Sequence, residues 1–433
     1  MITDLIIKKL FGIFDYDIKM KPGGVTILTG PNGFGKSTIL RLIDAFHKGD
    51  IFFFTRLDFK EIQCSSNEDQ NSMLIRKIGD DLYFDDTYVP IKEWSDEIFK
   101  NAYRRQYYYR TGPDSWIDKR NDAAINKEHI ILNYLEESNN LQIRDENEED
   151  EDDIGLKGIR DISNRMQSLA GNTRFIREQR LITQKLNPRT ERMMFNTTDK
   201  IMVNTIEELP IRFKELLNEV SSEYSATANS LDSSYPSRLF STTIGISNKD
   251  YLEKLDSMNE KFEKLNKFDI SEMKIINQVT FEDQHAKALK VYFDDFEKKY
   301  NVFKEFVFKL ELFTKIINSR LRFKEVVISR EDGIAVYKND SIKNKIPLNQ
   351  LSSGEKQEIV LFYELIFDIE HNVHLLIDEP EISLHIEWQL KFMDDLLEIA
   401  KYKGLKVTVA THSPQIINNH WDIQVDLGEL YGE

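Results

Sequence analysis

Basic charge is short in this chain, cysteine shorter still, and long apolar runs are missing. Lys and Arg number 58 against 74 Asp and Glu, a formal net charge of −16. Proteins that bind nucleic acid draw much of their affinity from neutralising phosphates, so this balance counts against nucleic acid as the main ligand and leaves room only for a local basic face. The single cysteine, Cys64, cannot form an internal disulfide and fits a reducing cytoplasm, where it reads as a small apolar residue. No run of about 18 apolar residues occurs, so no membrane-spanning helix is expected. The start, Met1-Ile2-Thr3-Asp4-Leu5, lacks the basic-then-apolar pattern of a secretory signal. What remains is 433 residues, 40% apolar and 11% aromatic, enough for a sizeable core and for more than one domain.

Against that background one stretch organises the chain. Gly30-Pro31-Asn32-Gly33-Phe34-Gly35-Lys36-Ser37 fits the phosphate-loop pattern G-x-x-x-x-G-K-[ST]. The β-rich run Val25–Thr29 precedes it and the helical run Thr38–Ile43 follows, which is the strand-loop-helix setting the chemistry requires. Glycines let the backbone approach a phosphate closely, and converging N–H groups at a helix N-terminus receive the anion. Lys36 offers a full charge to the β- and γ-phosphates and Ser37 a hydroxyl to Mg²⁺. Asn32, Gly33, Gly35, Lys36, Ser37 and Thr38 are thus the expected ATP contacts.

Near the other end, Val373-His374-Leu375-Leu376-Ile377-Asp378-Glu379 is a short apolar strand closing on two carboxylates. Asp378 is expected to hold Mg²⁺, and Glu379 to polarise the attacking water as general base. Leu351-Ser352-Ser353-Gly354-Glu355 lies upstream and Ala410-Thr411-His412-Ser413-Pro414 downstream. In this order the pieces resemble the signature loop, Walker B strand and switch histidine of ABC-type ATPases. That resemblance implies that Ser352 and Gly354 contact the nucleotide and that His412 touches the γ-phosphate. It also implies a glutamine that senses Mg²⁺, for which Gln179 in the run Thr173–Leu181 is the candidate.

The predicted fold is α/β, an ABC-type head with a mostly parallel sheet and an antiparallel meander, split by a helical insertion with a short coiled-coil-like arm. Residues 1–90 form the first head portion with the phosphate loop. Residues 91–182 form a mixed lobe, residues 183–320 the helical arm, and residues 321–433 the second head portion. Leu74–Ile78 and Leu82–Phe84 read as a hairpin. Tyr103–Arg110 reads as a helix packing its rings inside a lobe, with nucleic-acid stacking as the alternative. Asp145–Asp153 is a like-charge block expected to be a solvated loop. Ile206–Val220 follows helical spacing, with Pro236 expected in the loop beyond it. Leu255, Met258, Phe262 and Leu265 form a short seam, and that helix is expected to pair as a hairpin with the long helix through Tyr292–Ile317.

More than 300 residues separate Lys36 from Ser352, as in the split heads of chromosome-maintenance, DNA-repair and overcoming-lysogenization-defect (OLD) ATPases. Ile377-Asp378-Glu379-Pro380-Glu381-Ile382-Ser383-Leu384-His385 and Ala410-Thr411-His412-Ser413-Pro414-Gln415-Ile416-Ile417 resemble bacterial anti-phage ATPases of the OLD-like group. His385 stands where transporter-type ABC ATPases carry Asp. The resemblance implies an ATP-sandwiched homodimer or higher oligomer, with no membrane partner. Residues 413–433 leave no room for a C-terminal nuclease, so a separate nuclease effector and a phage-encoded trigger are the expected partners. The ATPase of PARIS systems is the nearer match and that of Septu systems the second. A repair-type ATPase that clamps DNA is the alternative function.

Overall fold

The computed structural model describes residues 1–66, 71–104, 107–120, 123–131, 133–134, 154–177, 182–186, 200–270, 280–340, 343–382 and 384–432. Gln179 and the acidic block 145–153 lie outside the described residues. The fold is α/β, and the chain forms two units: residues 1–203 with 369–433, and residues 204–368.

The first unit begins with strands β1 (Asp4–Leu10), β2 (Phe14–Lys19) and β3 (Val25–Thr29), then helices α1 (Lys36–Lys48) and α2 (Ile51–Arg56). Strands β4 (Glu61–Ser66), β5 (Asn71–Ile78), β6 (Asp81–Phe84) and β7 (Thr87–Val89) follow, then α3 (Ile91–Arg104), β8 (Tyr108–Gly112), β9 (Ser115–Asp118) and β10 (Ala123–Ile125). Next come α4 (Ile154–Ala170), β11 (Thr173–Ile176), β12 (Ile182–Leu186) and β13 (Lys200–Asn204). The second unit holds α5 (Thr205–Ser241), α6 (Asn248–Lys267), α7 (Ala286–Asn318), β14 (Lys324–Ser329), β15 (Gly333–Lys338), β16 (Lys345–Ile346) and α8 (Ser353–Tyr363). The chain then completes the first unit with β17 (His374–Asp378), α9 (Ile386–Lys403), β18 (Lys406–Ala410), α10 (Pro414–Ile417), β19 (Gln424–Asp426) and α11 (Leu427–Gly432).

Two large sheets dominate the first unit, beside a three-stranded sheet, β10-β9-β8, and the pair β12-β13. One is antiparallel, in the order β2-β1-β4-β5-β6-β7, and includes the expected β5–β6 hairpin. The other is parallel, in the order β11-β17-β18-β3-β19. Every residue of β3 and β17 is buried, as befits parallel strands covered on both faces. Helix α1 buries Ile39, Leu40, Leu42, Ile43 and Phe46 in the same core as Leu5, Ile7 and Phe54.

The Tyr- and Arg-rich stretch does not form one helix. It divides between the end of α3 and β8, where strand alternation turns Tyr108 inward and leaves Tyr109 exposed. Arg120 lies over the rings of Tyr107 and Tyr108, at 4.9 and 5.4 Å from their centroids.

In the second unit the long antiparallel pair is α5 with α7, joined by Phe213–Phe313 and Tyr224–Phe303 ring contacts at 5.5 and 4.9 Å. The seam helix α6 buries Leu255, Met258, Phe262 and Leu265 and lies on α7 as a third member, so it is not the returning half of the hairpin. Pro236 sits inside α5 and not in a loop beyond it. A helical proline removes one donor from the ladder. Here Arg238 supplies others: its guanidinium donates to the Leu231 carbonyl at 2.6 Å and is ion-paired with Asp295 of α7, so tertiary contacts carry the helix past the proline. The Arg320 guanidinium is buried against Glu358 of α8, Nε to Oε2 2.9 Å, and over the Phe362 ring at 4.6 Å.

Candidate functional site

Parallel strands place all their carboxyl ends at one edge, which is where ligands of such sheets bind. Here β17, β18 and β3 are neighbours in register, Asp378 opposite Ala410 and Ala410 opposite Leu28. The loops leaving them carry Glu379, His412 and the phosphate loop, so residues almost 400 positions apart converge at that edge.

In the phosphate loop Gly33 and Gly35 have φ of 88° and 87°, open to glycine at little cost. Gly35 precedes α1, and a Cβ there would come within 2.9 Å of the Leu10 side chain. Lys36 is buried and its ammonium donates to the Gly30 carbonyl at 2.8 Å, folded along the loop it would share with a phosphate. Asn32 is exposed on the loop, and Thr38 is half-buried in the first turn of α1.

The Ser37 hydroxyl donates to Asp378 Oδ1 at 2.9 Å across the strand ends. A hydroxyl beside a carboxylate is an all-oxygen donor set that fits Mg²⁺ better than a softer metal. Glu379 has φ of +44° and is followed by Pro380, a combination that stores backbone strain. Its N–H is tied to the Ala410 carbonyl at 2.9 Å, and its Oε2 lies 2.5 Å from His412 Nδ1. The Glu379 carboxyl is pushed up to about 7, first by burial and then by the neighbouring Glu381 carboxylate, with His412 pulling the other way.

Glu381 is a site residue that motif reading did not single out. It is buried, and its Oε1 accepts from the Thr411 hydroxyl at 2.6 Å and from the His412 and Ser413 N–H groups at 3.0 and 3.1 Å. Glu379, Glu381 and His412 together bring three potential ligand atoms within 4.8 Å of one another. The only signal in the sequence was its place two residues after Glu379; its donors lie 30 residues on.

Ser352 and Gly354 belong to the second unit. Ser352 is exposed and caps α8: its hydroxyl accepts from Glu355 N–H at 3.3 Å while its own N–H donates to Glu355 Oε2 at 2.8 Å. Lys324 holds that carboxylate through both oxygens, at 2.8 and 2.9 Å, and this pairing lowers its pKa against the opposing effect of burial. His385 acts as N-cap of α9 through its ring nitrogen, which accepts from Glu387 N–H at 3.4 Å, a task an Asp would perform equally.

The model of the AAA ATPase domain family matches residues 1–417. This chain belongs to the AAA ATPase domain family. As an AAA ATPase it binds and hydrolyses ATP. Among solved structures, the ATPase is similar to the Smc head domain with an extended coiled coil bound to the C-terminal domain of ScpA, derived from Pyrococcus furiosus. That match has a TM-score of 0.39 and 14% identity, over 96% of this chain and 91% of that one. It is similar to an Smc head bound to the C-winged helix domain of ScpA, with a TM-score of 0.39 and 12% identity over 96% and 92% of the two chains. The SMC head domain from Thermotoga maritima gives 0.34 and 12% over 96% and 90%. No curated protein matches the ATPase. No helix among the described residues is long and apolar enough to cross a membrane.

Proposed function

We propose that this ATPase works as an ATP-sandwiched homodimer or higher oligomer, and that it is the sensor and scaffold of a bacterial anti-phage system. In that role it holds a separate TOPRIM-type nuclease and activates it when a phage-encoded trigger is sensed. The observation that carries the catalytic part is the convergence of Lys36, the Ser37–Asp378 pair and the Glu379–His412 pair at one sheet edge.

In this reading the backbone N–H groups of the loop and Lys36 receive the β- and γ-phosphates. Ser37 and Asp378, with Gln179, would hold Mg²⁺, which when bound neutralises phosphate charge. Glu379 takes the proton of the attacking water, and His412 contacts the γ-phosphate. Exposed Ser352, with Gly354 beside it at the N-terminus of α8, supports contact with a nucleotide held by a second copy. The anti-phage assignment rests on the resemblance of the Ile377–His385 and Ala410–Ile417 stretches to OLD-like ATPases, PARIS systems before Septu systems.

Two measurements test it. Glu379→Gln should bind ATP, lose at least about 100-fold in turnover and remain dimeric by light scattering; turnover at the wild-type rate would remove Glu379 as the base. Mass spectrometry of the complex purified from its own operon should find a stoichiometric nuclease, released or altered by ATP. Nuclease-sensitive DNA with no protein partner would favour the repair-type alternative.

A further inference from the structure

We infer that Glu381 is a positioning residue that fastens the loop bearing His412 to the loop bearing Glu379, so that the two side chains meet the nucleotide as one preset unit. The inference rests on the roles given above to Glu379 and His412. Three donors from three consecutive residues, the Thr411 hydroxyl and the His412 and Ser413 N–H groups, end on one oxygen of Glu381. Thr411 is fully buried, and its hydroxyl also accepts from Ser413 N–H at 3.0 Å, so the loop after β18 closes around that carboxylate.

The loop after β17 is held just as firmly. Glu379 N–H donates to Ala410 O at 2.9 Å, Ile382 N–H to Glu379 O at 3.2 Å and Leu384 N–H to Glu381 O at 2.9 Å. Pro380 fixes one further dihedral. The two loops are thus pinned on both sides of the Glu379–His412 contact, by the Glu379–Ala410 backbone bond and by the Glu381 cluster. Charge-assisted bonds to a buried carboxylate are the stronger class of hydrogen bond, and Glu381 gathers three of them, beside the single Glu379–His412 contact that it brackets. Catalysis depends steeply on such placement: an error of about 1 Å can cost about 100-fold in rate.

The test is a double-mutant cycle on the full chain, assayed at saturating ATP and about pH 8.5. Glu381→Ala should lower kcat by about 10- to 100-fold and leave nucleotide affinity within about twofold. Glu381→Gln keeps an acceptor oxygen in place and should retain most of kcat. Thr411→Val removes one donor from the opposite side and should lower kcat in the same sense, which keeps the test alive if Glu381→Ala does not fold. In a His412→Ala background, Glu381→Ala should cost less than about twofold more, because its effect passes through His412 and the Glu379 it faces. Independent, multiplying losses would overturn the inference, as would Glu381→Gln falling as far as Glu381→Ala. A fully active Glu379→Gln would instead overturn the underlying assignment of the base, so the two failures are distinguishable.

Discussion

The raised pKa of Glu379 makes a sharp statement about pH. A carboxyl near 7 is about one-eleventh ionised at pH 6 and about ten-elevenths at pH 8. If the ionised form is the base, kcat/KM, which reports ionisations of the free enzyme, should rise about tenfold between those pH values. The sign follows from the cause: burial, and then the Glu381 charge, disfavour the carboxylate, so activity is lost as pH falls through 7. An ordinary carboxylate base would lose activity only below about pH 4.5. Glu381→Gln removes the neighbouring charge while burial remains, so its acid limb should move to lower pH without reaching the ordinary range. Titration of the nucleotide cannot mimic that displacement, since it is common to both proteins. A flat profile from pH 6 to 8, or an acid limb left in place by Glu381→Gln, would refute the reasoning.

Two stability predictions centre on Arg320 and Gly333 of the second unit. Arg320→Met removes the guanidinium that faces the buried Glu358 carboxylate and should cost about 3–5 kcal/mol in urea denaturation, most of it recovered by adding Glu358→Met. Gly333 and Gly79 share a left-handed φ, 69° and 64°, but a Cβ on Gly333 would lie 2.0 Å from the Pro210 carbonyl oxygen whereas one on Gly79 meets nothing within 4 Å. Gly79→Ala should therefore cost only the conformational penalty of about 1–2 kcal/mol, and Gly333→Ala several times that, measured by the same denaturation.

What could be read in the sequence was what is local. The phosphate loop, the strand ending in Asp378-Glu379 and the apolar faces of α5 and α7 each declare themselves within about a dozen residues, because glycine spacing and helical periodicity are short-range rules. Glu381 did not, since its significance comes from donors at 411–413, which only the β17–β18 pairing brings to it. Pro236 was misread for the same reason. The rule that proline ends a helix is local, while the Arg238–Asp295 pair that carries α5 onward spans two helices. Helical spacing assigned faces to α6 and α7 but could not choose the partner: the expected α6–α7 hairpin gives way to α5 along α7, through the Phe213–Phe313 and Tyr224–Phe303 contacts, with α6 packed beside them. In Tyr103–Arg110 the aromatics suggested helical packing, but alternation across β8 governs which rings are covered.

The order of the parallel sheet has a consequence for synthesis. The strand that launches the phosphate loop, β3, leaves the ribosome long before its two neighbours, β18 and β19. The second unit is a continuous stretch, residues 204–368, and can fold while the first still waits. Until residue 406 and beyond have emerged, β3 has no strand partner on either side, and Asp378, already synthesised, lacks the strand that ties β17 to β3. A chain that stops short of β18 therefore lacks the strand that aligns Ser37 of the phosphate loop with Asp378.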